Sequence, residues 1–259
     1  MEADPKNFKF RTAHNDLRIY RHGNLIELRS HDHALQSVID LQAPERLRLE
    51  NLEFLMSVLL FIPQPKSVLV LGTAAGSLLH YLRYYLPEAR ITAVDIDDLL
   101  VERMLRMRIL PPAGDNLEYI HADAADFIAD DGRQFDLVLV DVFTGASSPA
   151  WLLQSETGEA LYRICGENGA VSYNLLLASD HDFRIFYREL RRIYRDMTLC
   201  LPVPGFENRI VCAVRHPQCP AGMDVRLHRA GKLSASLGVD FVRLLSAAYN
   251  SNPSGIGLL

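Results

Sequence analysis

Residues 66–215 alternate short apolar runs with amphipathic segments, and this alternation limits the possible folds more than any other feature of the chain. The first run, Ser67–Leu71, shows no polar–apolar alternation, as is typical of a strand buried on both faces. Repeated strand–helix units of this length predict a mostly parallel sheet with helices on both sides. The last two apolar runs, residues 198–203 and 208–214, are joined by a short turn and predict an antiparallel pair at one edge.

The chain before residue 66 shows a different pattern of apolar and polar residues. Residues 16–30 form two partly alternating runs on either side of Gly23, which predicts a hairpin, and residues 33–41 predict a third strand. Residues 45–62 carry leucines at near-helical spacing and predict a helix that Pro63 ends. A small β domain therefore precedes the α/β region.

Beyond residue 216 the pattern is looser, with one helix predicted over residues 239–249 and a polar tail. The predicted fold class is α/β and Rossmann-like, with a mostly parallel sheet, a C-terminal antiparallel pair and a small N-terminal β domain. The predicted parts are a β domain (1–45), a connecting helix (46–65), the Rossmann-like domain (66–216) and a helical extension with a tail (217–259).

Charge and composition exclude several classes of protein. The net charge of -5 argues against a nucleic-acid partner, whose phosphates need Lys and Arg. The N-terminus is polar and no apolar run is long enough for a signal peptide or a membrane span, so we expect a cytoplasmic protein. The four cysteines lack zinc-site spacing, so we expect reduced thiols and no metal. They are Cys165, Cys200, Cys212 and Cys219.

The first strand of the α/β region runs into a turn of small residues that begins with Gly72, Thr73 and Ala74 and ends with Gly76. Small side chains let the backbone approach a ligand, and the helix behind them offers free N–H groups and a positive dipole end. The dinucleotide form of this turn has a third glycine where this chain has Leu79, which argues against a nicotinamide cofactor. Packing alone also explains many such turns.

Acidic residues follow the next three strands, namely Asp95, Asp123 and Asp141. The carboxyl ends of parallel strands share one edge of the sheet, where ligands bind in this architecture. The first carboxylate is placed to accept ribose hydroxyl protons and the second to accept the adenine amino proton, which favours an S-adenosyl cofactor. Ile96 and Ala124, which follow these two residues, are predicted to contact the cofactor as well.

A different role is possible for each acid. Asp95 could cap the following helix, but we assign that cap to Asp97 or Asp98. Asp123 could likewise cap a helix, a role that we assign to Asp126 instead. Acidic side chains at Asp97 and Asp98 would also favour a cofactor without a carboxylate.

Six segments of the chain, taken together, resemble one family. They are HALQSVIDLQAP, SVLVLGTAAGSLL, ITAVDIDDLLVERM, LEYIHADAADFI, FDLVLVDVFTGASSP and TGEALYRICGENGAVSYNLL. In order and spacing they resemble the polyamine aminopropyltransferases, the spermidine synthase family, and within it a divergent bacterial spermidine synthase-like branch.

The resemblance implies a Rossmann-like catalytic domain with the fold of S-adenosylmethionine-dependent methyltransferases and a β domain that helps form a homodimer. It also implies a cleft for decarboxylated S-adenosylmethionine and a polyamine acceptor such as putrescine. By position, Asp95 would hold the ribose, Asp123 the adenine amino group, and Asp141 would be the catalytic base. A carboxylate there could attract the acceptor ammonium and then take its proton.

The chain departs from the family on the acceptor side. Thr144 stands where the family has a second aspartate, and a tyrosine–glutamine pair on the connecting helix is missing. Thr144, Tyr173 and Asn174 are predicted to contact the acceptor, although Tyr173 could equally be a packing residue. Gln36 is predicted to reach the cofactor from the β domain. Trp151 is expected either to line the mouth of the cleft or to anchor a loop, and His181 is expected to be solvated.

Three functions remain open from the sequence. The first is an aminopropyltransferase of the spermidine synthase type. The second is a methyltransferase that uses intact S-adenosylmethionine, because the fold is shared. The third is a binding protein that retains the cofactor pocket without activity, which Thr144 suggests.

Overall fold

The computed structural model describes residues 7–31, 33–62, 64–145, 147–217, 222–252 and 257–259. Pro63 and Cys219, which the sequence singles out, lie outside this part of the chain. Two β-sheets form the framework, one of four strands at the N-terminus and one of seven strands that follows it.

The N-terminal sheet is an antiparallel meander in the order β1-β2-β3-β4. Its strands are β1 (Asn7–Arg11), β2 (Asp16–His22), β3 (Leu25–Ser30) and β4 (Leu35–Asp40). In β2 the buried residues Leu17 and Ile19 alternate with more exposed neighbours, as expected for a sheet with one covered face. The hairpin at Gly23 and the third strand are confirmed, whereas β1 was not predicted.

The helix that connects the two sheets is shorter than predicted. Only α1 (Glu50–Leu55) is α-helical, and a 3-10 helix, Met56–Leu60, continues it. Leu47 and Leu49 are buried while Arg46 and Arg48 are exposed, so this stretch has the two-residue period of extended chain. The leucine spacing over residues 45–62 therefore covers an extended stretch and a helical stretch, which the sequence pattern did not distinguish.

The central sheet is mostly parallel, with an antiparallel pair at one end, as predicted. Its order is β10-β11-β9-β8-β5-β6-β7, in which β11 is antiparallel to both of its neighbours, β10 and β9, whereas the other neighbouring strands are parallel. The strands are β5 (Ser67–Leu71), β6 (Arg90–Asp95), β7 (Leu117–His121), β8 (Phe135–Val140), β9 (Cys165–Leu175), β10 (Thr198–Pro202) and β11 (Arg209–Val214).

Both faces of this sheet are covered. In β5, Val68 and Val70 belong to one apolar cluster, whereas Leu69 and Leu71 belong to another on the opposite face. The covering helices of the α/β region are α2 (Ser77–Tyr85), α3 (Asp98–Arg106), α4 (Ala124–Asp130), α5 (Ser155–Ile164) and α6 (Asp180–Ile193). Burial on both sides explains why the strands read as uninterrupted apolar runs.

Two helices close the chain, α7 (Met223–Leu237) and α8 (Phe241–Ser251). The sequence predicted α8 but not α7, because α7 buries only Ala230 and Leu237 and so has no strong apolar stripe. Among the described residues, no helix combines the length and the apolar character needed to cross a membrane.

Candidate active site

One cleft of about 300 Å³ lies across the carboxyl edge of the central sheet. Because β7, β6, β5 and β8 are neighbours in that order, their ends place Asp123, Asp95, Gly72 and Asp141 side by side along it. All four line the cleft. The chain order of the sheet reverses between β5 and β8, which is where ligands bind in open α/β sheets.

The turn after β5 brings two strand ends close together. Gly72 has a φ of 87°, and a Cβ there would overlap the main-chain oxygen of Asp141, so the position requires glycine. Ala74, with a φ of 44°, also lines the cleft. Gly76 corrects our prediction: it begins α2 outside the cleft, where an added Cβ would overlap Leu110.

Asp95 holds the turn as well as facing the cleft. Its Oδ2 accepts hydrogen bonds from the main-chain N and the hydroxyl of Thr73, at 2.8 and 2.7 Å. Its Oδ1 accepts the main-chain N–H of Asp97 at 2.9 Å. A carboxylate offers about four lone-pair positions, so about one remains for a ligand hydroxyl. Thr73 itself does not line the cleft and acts through Asp95.

Asp123 has two roles in the structure. Its Oδ1 caps α4 by accepting the Ala125 N–H at 2.7 Å, so the assignment of this cap to Asp126 was wrong. Among the described residues, no hydrogen bond involves its Oδ2, which leaves that oxygen able to accept one. Ile96 and Ala124 line the cleft beside it, where the sequence placed them.

The β domain closes one side of the cleft through Asn15 and Gln36. Asp97 caps α3, as predicted, by accepting the Leu100 N–H at 3.0 Å. Its other oxygen accepts hydrogen bonds from Thr12 at 2.5 Å and from Asn15 at 2.7 Å. Asp97 is 1% exposed and does not line the cleft, so its charge ties the β domain to α3 instead of facing a cofactor.

Asp141 sits at the centre of the cleft, and its carboxylate is held by carboxamides. Asn174 donates to its Oδ1 at 2.8 Å, and Asn208 donates to the oxygen of Asn174 at 2.8 Å. Burial raises the pKa of Asp141 to about 6, and the hydrogen bond from Asn174 opposes that rise. A carboxyl group with this pKa is mostly ionised at neutral pH yet can take a proton.

The cleft continues past Asp141 toward β9 and β11. Thr144, Trp151, Leu176 and Phe206 line this part, so Trp151 lies at the cleft as one of our two readings expected. His181 is exposed on α6 and away from it, also as expected.

Tyr173 corrects another prediction. Its side chain is fully buried on the opposite face of β9, with its ring 5.6 Å from that of Phe186, and it does not line the cleft. The next residue, Asn174, points the other way and contacts Asp141. Tyr173 is therefore a packing residue, because successive side chains of a strand alternate between its faces.

Sequence reasoning missed three polar residues of the site: Asn15, Asn51 and Asn208. They come from the β domain, α1 and the segment before β11, which fold onto the cleft from distant parts of the chain. No local motif in the sequence marks these three residues.

The charge of the cleft is one-sided. Its described lining includes Asp95, Asp123 and Asp141 but no Lys, Arg or His. No cluster of His, Cys, Asp and Glu that could hold a metal ion occurs among the described residues. The cleft therefore suits a ligand that carries positive charge.

Comparisons with known proteins agree with this geometry. The family model described as the spermine/spermidine synthase domain matches residues 53–202. A polyamine aminopropyltransferase of Neisseria meningitidis serogroup A is 29% identical over 244 residues, which cover 92% of this chain and 91% of that protein.

Solved structures show the same fold. A probable spermidine synthase from Corynebacterium glutamicum superposes with a TM-score of 0.73 at 16% identity, covering 97% of this chain and 98% of that one. A spermidine synthase in complex with the transition-state analogue AdoDATO superposes with a TM-score of 0.69 at 14% identity, covering 93% and 84%.

Proposed function

The chain belongs to the spermine/spermidine synthase family, and from this premise we propose that it transfers an aminopropyl group from decarboxylated S-adenosylmethionine to an amine. The relative from Neisseria meningitidis is named a polyamine aminopropyltransferase, and the spermidine synthase above binds AdoDATO. The observation that carries the proposal is a cleft with three carboxylates and no basic side chain among its described lining residues.

This charge distribution favours the decarboxylated donor over intact S-adenosylmethionine. Intact S-adenosylmethionine carries a carboxylate, which would lie among acids with no side-chain cation to neutralise it. The decarboxylated donor carries only the sulfonium and an ammonium, and both are attracted by the acids of the cleft.

In the adenosine half, we assign the ribose to Asp95 and the adenine amino group to Asp123. Asp123 Oδ2 is available to accept from an amino group. The Asp95 carboxylate already accepts hydrogen bonds from Thr73 and Asp97, so a ribose hydroxyl would share it with them. Gln36 and Ala74 would contact the cofactor from the two sides.

Asp141 would act at the reacting atoms. The acceptor nitrogen forms a bond to the carbon beside the sulfonium, the C–S bond breaks, and its electron pair leaves with sulfur as a neutral thioether. The nitrogen gives up a proton, which the Asp141 carboxylate accepts. Asn174 and Asn208 orient that carboxylate, since each is hydrogen-bonded in turn.

The test is to incubate the pure protein with decarboxylated S-adenosylmethionine and a panel of amines, and to measure methylthioadenosine. We expect product from the wild type and a loss of about 100-fold or more in Asp141→Asn, the scale of general-base catalysis. Asp126→Asn is the matched control, because Asp126 is exposed on α4 and does not line the cleft.

A parallel incubation with intact S-adenosylmethionine tests the methyltransferase alternative through S-adenosylhomocysteine. Methyl transfer without aminopropyl transfer would refute the proposal, and so would full activity of Asp141→Asn. The cytoplasmic location and the homodimer stay predictions from the sequence.

A further inference from the structure

The two halves of the cleft differ in charge, and the strand order shows where they divide. Asp123 and Asp95 lie at the ends of β7 and β6, on one side of Gly72, whereas Asp141 follows β8 on the other side. Beyond Asp141 come only β9, β11 and β10. We call the part of the cleft beyond Asp141 the far half, and it is lined by Leu49, Asn51, Thr144, Trp151, Leu176, Phe206 and Asn208.

The far half is neutral and largely apolar. Four of its seven residues are Leu, Trp or Phe, and its polar groups are the hydroxyl of Thr144 and the carboxamides of Asn51 and Asn208. None of the described residues that line it carries a carboxylate. A carboxamide can accept a hydrogen bond from an ammonium but supplies no negative charge.

The acidic residues that are nearest in sequence to the residues of the far half do not line the cleft. Glu50 and Glu53 of α1 each accept a hydrogen bond from Arg243 of α8, both at 2.6 Å, and neither lines the cleft. Glu207, beside Phe206, is exposed and also does not line it. Among the described residues, Asp141 is therefore the acid that can contact the attacking nitrogen of an acceptor, and no second acid lines the far half.

A diamine bound here would place its second ammonium among apolar side chains without an anionic partner. Removing an ammonium from water is costly unless a counter-charge compensates. A methyl group in the same place would instead gain from the burial of apolar surface. The lining therefore discriminates between two acceptors that differ only at their remote end.

We propose that the acceptor is a primary monoamine with an apolar chain, in preference to a diamine of equal length. This rests on the proposed aminopropyl transfer and names the acceptor class of the same site. One amine group reacts beside Asp141, and the hydrocarbon remainder packs on Leu49, Leu176 and Trp151.

The experiment compares n-pentylamine with 1,4-diaminobutane, which differ by a terminal methyl in place of the second amine. With decarboxylated S-adenosylmethionine as donor, we expect a kcat/KM at least tenfold higher for n-pentylamine. An equal or higher kcat/KM for 1,4-diaminobutane would overturn the inference and leave the aminopropyl transfer standing. No methylthioadenosine with any amine would instead refute the proposed function.

A charge-gain variant makes the test specific to the far half. The main chain of Leu176 is fixed by Ser148, whose hydroxyl accepts the Leu176 N–H at 2.9 Å and whose N–H donates to the Leu176 oxygen at 2.8 Å. We expect Leu176→Glu to shift the preference toward 1,4-diaminobutane by at least tenfold, and Leu176→Gln, of similar size and neutral, to leave the order unchanged. An identical preference in both variants and the wild type would overturn the inference, with circular dichroism used to verify folding.

Discussion

Replacing Asn174 with leucine removes a hydrogen bond that favours the ionised form of Asp141 while keeping the side chain close to its original size. Asn174 is fully buried at the end of β9 and donates to Asp141 Oδ1 at 2.8 Å. Burial already holds the pKa of Asp141 at about 6, and this hydrogen bond lowers it from a still higher value. Its loss should therefore raise the pKa further.

The size of the shift follows from the energy of a hydrogen bond to a charged group, about 1.5–3 kcal/mol. Since one pKa unit corresponds to about 1.36 kcal/mol, the pKa of Asp141 should rise by about one to two units. A base acts in its unprotonated form, so activity is lost at low pH and recovered at high pH. For a shift of about 1.5 units, kcat/KM at about pH 6.5 should fall about eightfold, with little loss near pH 9.

The assay is methylthioadenosine release measured between about pH 5.5 and 9 for both proteins, because a shift of about one to two units falls within that window. The ratio of the variant kcat/KM to the wild-type kcat/KM removes the titration of the amine, which both proteins share. We expect that ratio to rise with pH. A ratio that stays constant over the range would refute the reasoning, because it would mean that Asn174 does not act through the ionisation of Asp141.

Ser172→Ala is the matched control. Ser172 lies two residues earlier on the same face of β9, is fully buried, and donates to the main-chain oxygen of Leu55 at 2.9 Å. Its loss should lower the melting temperature without moving the acid limb of the pH profile. Movement of that limb in Ser172→Ala would show that destabilisation of β9 is enough to change the pH profile, without any loss of the hydrogen bond to Asp141.

Two further predictions concern the framework of the cleft. Gly72→Ala should destabilise the protein by at least about 2 kcal/mol in urea denaturation, because an L-residue is strained at a φ of 87° and its Cβ would overlap the Asp141 oxygen. Asp97→Ala should raise the KM for the donor more than it lowers kcat, because it frees Thr12 and with it the β domain that closes the cleft.

Each of these variants has a control within the chain. Gly23 has a φ of 64° but no atom within 4 Å of an added Cβ, so Gly23→Ala should cost less than Gly72→Ala. Equal losses of unfolding free energy in the two variants would mean that the close contact of Gly72 with the main-chain oxygen of Asp141 is unimportant. Asp98 is exposed on α3 and does not line the cleft, so Asp98→Ala should leave the KM unchanged. A matching rise in KM would rule out the β-domain tie as the cause.

The central sheet and the three acids at its carboxyl edge follow from the amino-acid sequence. Apolar runs such as Ser67–Leu71 predict buried parallel strands, and parallel strands bring their carboxyl ends together. The sequence alone therefore predicts that Asp95, Asp123 and Asp141 share one cleft, and all three line it.

The remaining side chains of the site depend on how distant segments of the chain pack together. On a strand buried on both faces, polar–apolar alternation is absent, so nothing local distinguishes Tyr173 from Asn174, and only the packing of β9 turns Asn174 toward Asp141. Asn15 and Asn208 reach the cleft from segments far away along the chain, and periodicity reports only on neighbours in sequence. The neutral far half arises in the same way, because the start of α1, the segments that follow β8 and β9, and the turn before β11 form it only when they pack together.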